Sequence, residues 1–183
     1  EGKNLVLRKI AGECEKDLKV FKGNLKKQGY ISEVKSVLSE FAQYGVDFER
    51  LDDFMKEVPP ESYLHYKLDD IRTIYEKFEE YLSEKYITKE EMLDVLSDAV
   101  PYSDILKGSV VAMDGFTGFT PVQNRLIGEL FSVCEKVMIT VTMDGRENPY
   151  VYEHPYQIFA LGKQMVTSLM KIAGEKKTEI EEP

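Results

Sequence analysis

The chain has 183 residues, 43 % of them hydrophobic, and a net charge of −9. That length suffices for one sizeable core or two small subdomains, and the acidity argues against a free-standing nucleic-acid binder, whose phosphate contacts need Lys and Arg. No stretch approaches the roughly 20 apolar residues of a membrane helix, and the opening "EGKNLVLRKI" has neither the apolar centre nor the cleavage site of a signal peptide, so a cytoplasmic protein without a membrane partner is expected. Cys14 and Cys134 lack metal-type spacing and read as reduced thiols. His65 and His154 stand apart from any cluster, so no metal site is expected either.

Residues 1 to about 107 read as helical throughout. Ile31, Val34, Leu38 and Phe41 recur at helical spacing, and Gly45 follows as a stop signal. Phe48, Leu51 and Phe54 predict a short helix ending near Pro59-Pro60. Leu64, Leu68, Ile71, Tyr75, Phe78 and Leu82 form a long apolar stripe, with Asp69, Arg72, Glu76, Lys77, Glu79 and Glu80 on the opposite face. Thr88 and Glu91 have the spacing of a capping box. The helix they start is expected to bury Met92, Leu93, Val95 and Leu96 and to stop at Pro101.

From about residue 108 to 183 the pattern alternates. Residues 109–113 read as a short buried strand. Thr120 opens a helix running to about Cys134, with Leu126, Ile127, Leu130 and Phe131 inside. Residues 137–142 read as a second strand, and 155–173 as an amphipathic helix through Ile158, Leu161, Met165, Leu169 and Ile172. The tail "GEKKTEIEEP" is charged and expected to fray. Strand, helix, strand, helix is the order of a parallel α/β layer. The fold class is therefore α/β with a large all-helical subdomain: residues 1–107 helical, residues 108–183 α/β. Two strands do not complete such a sheet, so either the α/β part is truncated or its remaining strands are expected elsewhere in a longer polypeptide.

The stretch Met113–Gln123, "MDGFTGFTPVQ", carries the most chemistry. An apolar strand that ends in Asp114 presents a carboxylate at the carboxyl edge of a parallel sheet, where ligands bind. Asp114-Gly115 is equally good turn chemistry. Thr120 suits an N-cap, Pro121 the first helical turn, and Gln123 the closing residue of a capping box.

The same string resembles the Walker B motif of UvrD/RecB-like helicases, strand-Asp-Glu-Phe-Gln-Asp-Thr-Asn-x-x-Gln. Asp114 matches its metal-binding Asp, Phe116 its Phe and Gln123 its distal Gln. Gly115 stands where the catalytic Glu would be, Thr117 replaces the Gln, and Gly118 the second Asp. "DGFTGFTPVQNRLIGEL" is closer still to the inactivated helicase domain of the AddB family. The stretches "DLKVFKG", "SEFAQYGVDFERL", "LDDIRTIYEKFEEYL", "VMITVTMD" and "IFALGKQMVTSLMKIA" resemble the same family. The resemblance implies a partial P-loop NTPase sheet with a helical insertion, in a piece of the longer B subunit of an ATP-dependent helicase–nuclease. It implies a heterodimer with an AddA-like motor subunit, DNA as ligand, and double-strand-break processing for recombination. ATP with magnesium and an iron–sulfur cluster are implied for other parts of such a protein; no phosphate loop and no four-cysteine set occur here, so no cofactor is expected on this chain.

Candidates for DNA contact follow from the pairing of basic groups with aromatic faces in single-strand channels. Phe116 and Phe119 are either stacking faces or core plugs. Thr117 can donate to phosphate. Lys19, Lys22, Lys26 and Lys27 form the one local basic cluster, or a solvated surface run. Asp144, Gly145 and Arg146 fall where active helicases carry a sensor motif, without its Gln. The expected function is a non-hydrolysing scaffold for single-stranded DNA and regulatory-sequence recognition. The alternatives are a nucleotide-binding ATPase piece whose phosphate loop lies elsewhere, or a helical protein–protein adaptor.

Overall fold

The computed structural model describes residues 2–25, 27–83 and 91–181. The chain divides into two compact units, Glu1–Glu91 and Met92–Pro183, a break upstream of the change of sequence pattern near residue 107.

The first unit is helical: α1 (Gly2–Cys14), α2 (Gln28–Tyr44), α3 (Phe48–Glu57) and α4 (Tyr63–Ser83). Leu7, Ile10, Ala11 and Cys14 repeat on one side of α1 and are buried. They pack with Ile31, Val34 and Leu38 of α2 and with Ile71, Ile74, Tyr75, Phe78 and Leu82 of α4 in one core. Gly45 ends α2 in the left-handed conformation, as its position predicts. Asp47 caps α3 by accepting from the Arg50 amide at 2.9 Å. Val58, forced to an extended conformation by the proline that follows, ends that helix. Leu51, Val58 and Leu68 make a smaller cluster. Leu64, read as part of the apolar stripe, is exposed, as is Phe54, because each lies off the face its helix turns to the core. Opposite that face of α4, the Arg72 guanidinium forks onto Asp52, with Nε 2.5 Å from its carboxylate.

The second unit holds α5 (Glu91–Ala99), a 3-10 turn (Val100–Tyr102), β1 (Val110–Met113), α6 (Pro121–Val133), β2 (Lys136–Ile139) and α7 (Ala160–Lys176). The strands pair in parallel, Val110 opposite Lys136 and Met113 opposite Ile139, with α6 as the crossover between them. The second unit thus holds a small α/β layer, in a chain that is otherwise mostly helical. Val100 is buried and its turn packs on α6. Arg125 of α6 straps α5 by pairing with Asp94 and Asp98.

Several expectations change here. The strand expected to be buried is half-open: Val110 and Ala112 are exposed, Val111 and Met113 partly covered, and β2 repeats the pattern. A parallel sheet is buried only when helices cover both faces, and among the described residues this one has two strands. The second strand stops at Ile139 rather than near 142. Met92, Val95 and Leu96 are exposed on α5, which instead buries Ser97. Thr88 of the expected capping box lies outside the described residues. The last helix begins at Ala160, not 155, because Phe159 adopts a left-handed φ of 60° that cannot belong to it; Ile158 and Leu161 are exposed. Finally, the tail does not fray over 174–181. Gly174–Lys176 complete α7, the Thr178 amide donates to the Ala173 carbonyl at 2.9 Å, and Glu181 pairs with Lys136.

Candidate functional site

The loop that follows β1 is built from both strands. The Met113 carbonyl accepts from the Thr140 amide at 3.0 Å, which carries the sheet pairing one step past β2. The Thr140 hydroxyl then donates to the exposed Asp114 carboxylate. Asp114 therefore stands at the carboxyl edge of a parallel pair, held by the neighbouring strand. Gly115 turns the chain with a φ of +79°, a region that costs a side-chain-bearing residue about 1–2 kcal/mol. Phe116 and Phe119 then meet each other, ring centroids 5.0 Å apart at 34°. Phe116 is 42 % exposed and Phe119 is half-buried. Neither ring is fully buried. Thr117 and Gly118 between them are exposed.

The loop ends in a capping box. The Thr120 amide donates to Gln123 Oε1 at 2.9 Å, and the Gln123 amide donates to Thr120 Oγ1 at 3.4 Å. The Gln123 carboxamide, aligned with a helicase residue, thus has its oxygen committed to the start of α6.

Chemically, the loop offers one carboxylate, hydroxyls and an aromatic pair. Among the described residues no three His, Cys, Asp or Glu side chains gather as a metal group would need. One carboxylate and one hydroxyl do not complete a magnesium–nucleotide site. Cys14 is buried in the first unit and Cys134 lies in the second; two such thiols do not fit an iron–sulfur cluster.

The next edge loop is closed on itself. Asp144 accepts from the Arg146 backbone amide at 2.9 Å and from Nε at 3.0 Å and Nη2 at 2.6 Å of its guanidinium. The guanidinium holds the Asp144 carboxyl below the usual range and is itself raised by it. Lys163, buried near the start of α7, pairs with Glu147 at 2.5 Å and ties this loop down. A cavity of about 750 Å³, bordered by Val137, Val141, Leu169 and Met170, lies along β2 and α7. No residue of the Asp114–Thr120 loop lines it.

In the first unit the basic cluster is partly neutralised. Lys19 Nζ lies 2.9 Å from Asp69 and 4.9 Å from the Tyr66 ring centre; the hydrogen bond to Asp69 raises its pKa. Lys22 and Lys27 are exposed, Lys27 Nζ donating to Asn24 at 2.9 Å. Lys26 lies outside the described residues. Sequence reasoning missed Asp70. It is 1 % exposed, and its carboxylate accepts from three successive backbone amides, Lys19 at 2.8 Å, Val20 at 2.7 Å and Phe21 at 2.8 Å. One signal was available: Asp70 falls on the apolar stripe of α4 between Leu68 and Ile71, where a carboxylate needs several donors to be tolerated.

Fold and loop together define a protein with a helical unit and an α/β unit, the latter carrying a carboxylate and an aromatic pair at its sheet edge. Comparison places that arrangement. The chain matches the model of the family "ADDB, N-terminal" over residues 1–183, and it belongs to that family. It is 39 % identical over 183 residues to the B subunit of the ATP-dependent helicase/deoxyribonuclease of Lachnoclostridium phytofermentans, covering 100 % of this chain and 16 % of that protein. The protein of the same name from Thermoanaerobacter sp. (strain X514) is 33 % identical over 182 residues, 100 % of this chain and 16 % of that one. That of Listeria monocytogenes serotype 4a is 29 % identical over 181 residues, 99 % and 15 %. The chain thus spans about one sixth of the curated relatives it matches.

Proposed function

We propose that this chain is the N-terminal, helicase-like part of the B subunit of an ATP-dependent helicase–nuclease that processes double-strand DNA breaks for recombination. In that setting it acts as a non-hydrolysing scaffold that holds single-stranded DNA and contributes to recognition of a regulatory sequence. Its partners are an AddA-like motor subunit and DNA; nucleotide turnover and any iron–sulfur cluster belong to other parts of the assembly. The family match supports the parent. The observation that carries the scaffold role is Gly115, left-handed at the position where an active helicase has its catalytic acid. No general base stands there to activate water, and the loop has Gly, Thr and Phe where acids would repel a phosphate backbone. Phe116, with a face open to solvent, supplies a surface on which a base can stack.

The test is Phe116→Ala with Phe119→Ala in the full-length complex, assayed for single-strand retention and for response to the regulatory sequence. Retention should fall while folding is preserved; a variant that folds and behaves like the parent removes the loop from the DNA path. A second reading, nucleotide binding without hydrolysis, draws support from the Thr140–Asp114 bond at the sheet edge. The purified chain is expected to hydrolyse no ATP. Single-turnover hydrolysis that Asp114→Ala abolishes overturns the scaffold reading in favour of an ATPase.

A further inference from the structure

We propose that the connection between α1 and α2 is a preformed ledge for a single-stranded polynucleotide, with Lys22, Lys27 and Tyr30 as its contact residues and Asp70 as the positioning residue beneath it. The proposal rests on the DNA reading above and concerns a different unit of the molecule.

Charge is segregated here. The chain carries −9 overall, yet from Leu18 to Ser32 it has four lysines and no acidic residue. Leu18, Phe21 and Leu25 are buried at 2 %, 6 % and 5 % exposure, so the backbone of this connection belongs to the core while the lysines between them turn outward. Buried amides need partners, and Lys19, Val20 and Phe21 donate all three of theirs to a single buried carboxylate. Asp70 is used up in that task, and Asp69 is taken by Lys19. Among the described residues neither Lys22 nor Lys27 has a carboxylate partner. Asp70 and Asp69 thus fix the loop and neutralise Lys19, while Lys22 and Lys27 keep their charge outward. Tyr30 stands in the first turn of α2, beside that connection, 38 % exposed and set edge-on to Phe21 at 6.1 Å and 77°. Its ring orientation is therefore held by a core residue while one face meets solvent. Cations spaced along a turn beside an oriented aromatic ring match a phosphate backbone with an unstacked base. Holding residues 19–21 on Asp70 lowers the ordering entropy lost there on binding.

The experiment uses the full-length protein and a labelled oligo-dT, with binding followed across a salt titration. Lys22→Gln with Lys27→Gln should make the slope of log affinity against log salt shallower by about 1.4, at about 0.7 per single-strand phosphate contact. Tyr30→Ala should weaken binding by about five- to 150-fold with the slope unchanged, the range expected for one stacked base, and Tyr30→Phe should retain it. Asp70→Asn, checked for folding by thermal denaturation, should lose slope as the double lysine variant does; a folded Asp70→Asn of parental slope overturns its positioning role. Should Asp70→Asn unfold, the surface variants still decide, because they leave that buried carboxylate in place. If the lysine and tyrosine variants bind like the parent while Phe116→Ala weakens binding, the ledge is wrong and the DNA reading stands. If the lysine variants change only subunit association, the patch is a protein-docking surface. If the unsubstituted protein does not bind oligo-dT, both fall.

Discussion

The two units treat their apolar residues in opposite ways. Among the described residues, the first unit holds eighteen of the twenty-four buried hydrophobic side chains and seven of the twenty-four large exposed ones; the second holds six and seventeen. Helices explain the contrast. An α-helix satisfies its backbone internally and needs only one apolar stripe covered, so four helices can close a core among themselves. A parallel sheet needs pairing at each edge and cover on each face. With two strands, Val110 and Met138 remain exposed even though their sequence is that of an interior strand. Among the described residues the helical unit thus covers most of its own apolar surface, whereas the α/β unit leaves most of its large apolar side chains open.

The sharpest way to break that comparison is a matched pair of truncations. Ile74→Ala, at a site 1 % exposed, should cost about 3 kcal/mol of stability through lost burial and a residual cavity. Met138→Ala, 44 % exposed, should cost under about 0.5 kcal/mol. Chemical denaturation resolves the two, and similar losses would erase the distinction between the units. Gly115→Ala comes next. Nothing lies within 4 Å of an added Cβ there, so its cost of about 1 kcal/mol is backbone strain alone. Gly115→Asn, which tolerates the left-handed region, should cost less; equal costs for the two would mean that something other than φ limits the position. Thr120→Val removes an N-cap acceptor from α6 and should lower stability by about 1 kcal/mol. An unchanged denaturation midpoint would leave the capping box without energetic weight.

The smallest effect at neutral pH belongs to Tyr75. Burial pushes its phenol from 10.0 up to about 12, with Glu79 and other carboxylates adding to the shift; the hydroxyl donates to the Val46 carbonyl at 3.4 Å. Because the folded value is the higher one, the protonated phenol contributes stability that is complete below pH 10 and is lost as pH rises toward 12. Tyr75→Phe should therefore flatten the alkaline decline of the first unit over that window. A decline of the same steepness in both proteins would show that other groups drive it.

The candidate site shows the same division between what is local and what is not. The Thr120–Gln123 capping box was legible because both partners lie three residues apart and the geometry follows from helix formation itself. The turn at Asp114-Gly115 was legible for the same reason. The partnership of Asp114 with Thr140 was not: the two are 26 residues apart and meet only because β2 pairs in parallel with β1. Nor does composition say whether Phe116 and Phe119 face the core or each other. Asp70 is the clearest omission, since its three amide partners lie about 50 residues back along the chain.

From residues a few positions apart on one element the sequence alone settled the face of α2, most of the face of α4, the Gly45 stop, the start of α6 and the alternation that orders the second half. Its motifs also marked the family. Tertiary structure alone decided which apolar runs are buried. Met92, Val95, Leu96 and Leu161 have the periodicity of a core and are exposed, because burial requires a second surface, and a periodic pattern specifies a face without supplying what covers it. It also decided the role of Asp70, whose carboxylate is tolerated in the interior only because a distant turn brings three amides to it.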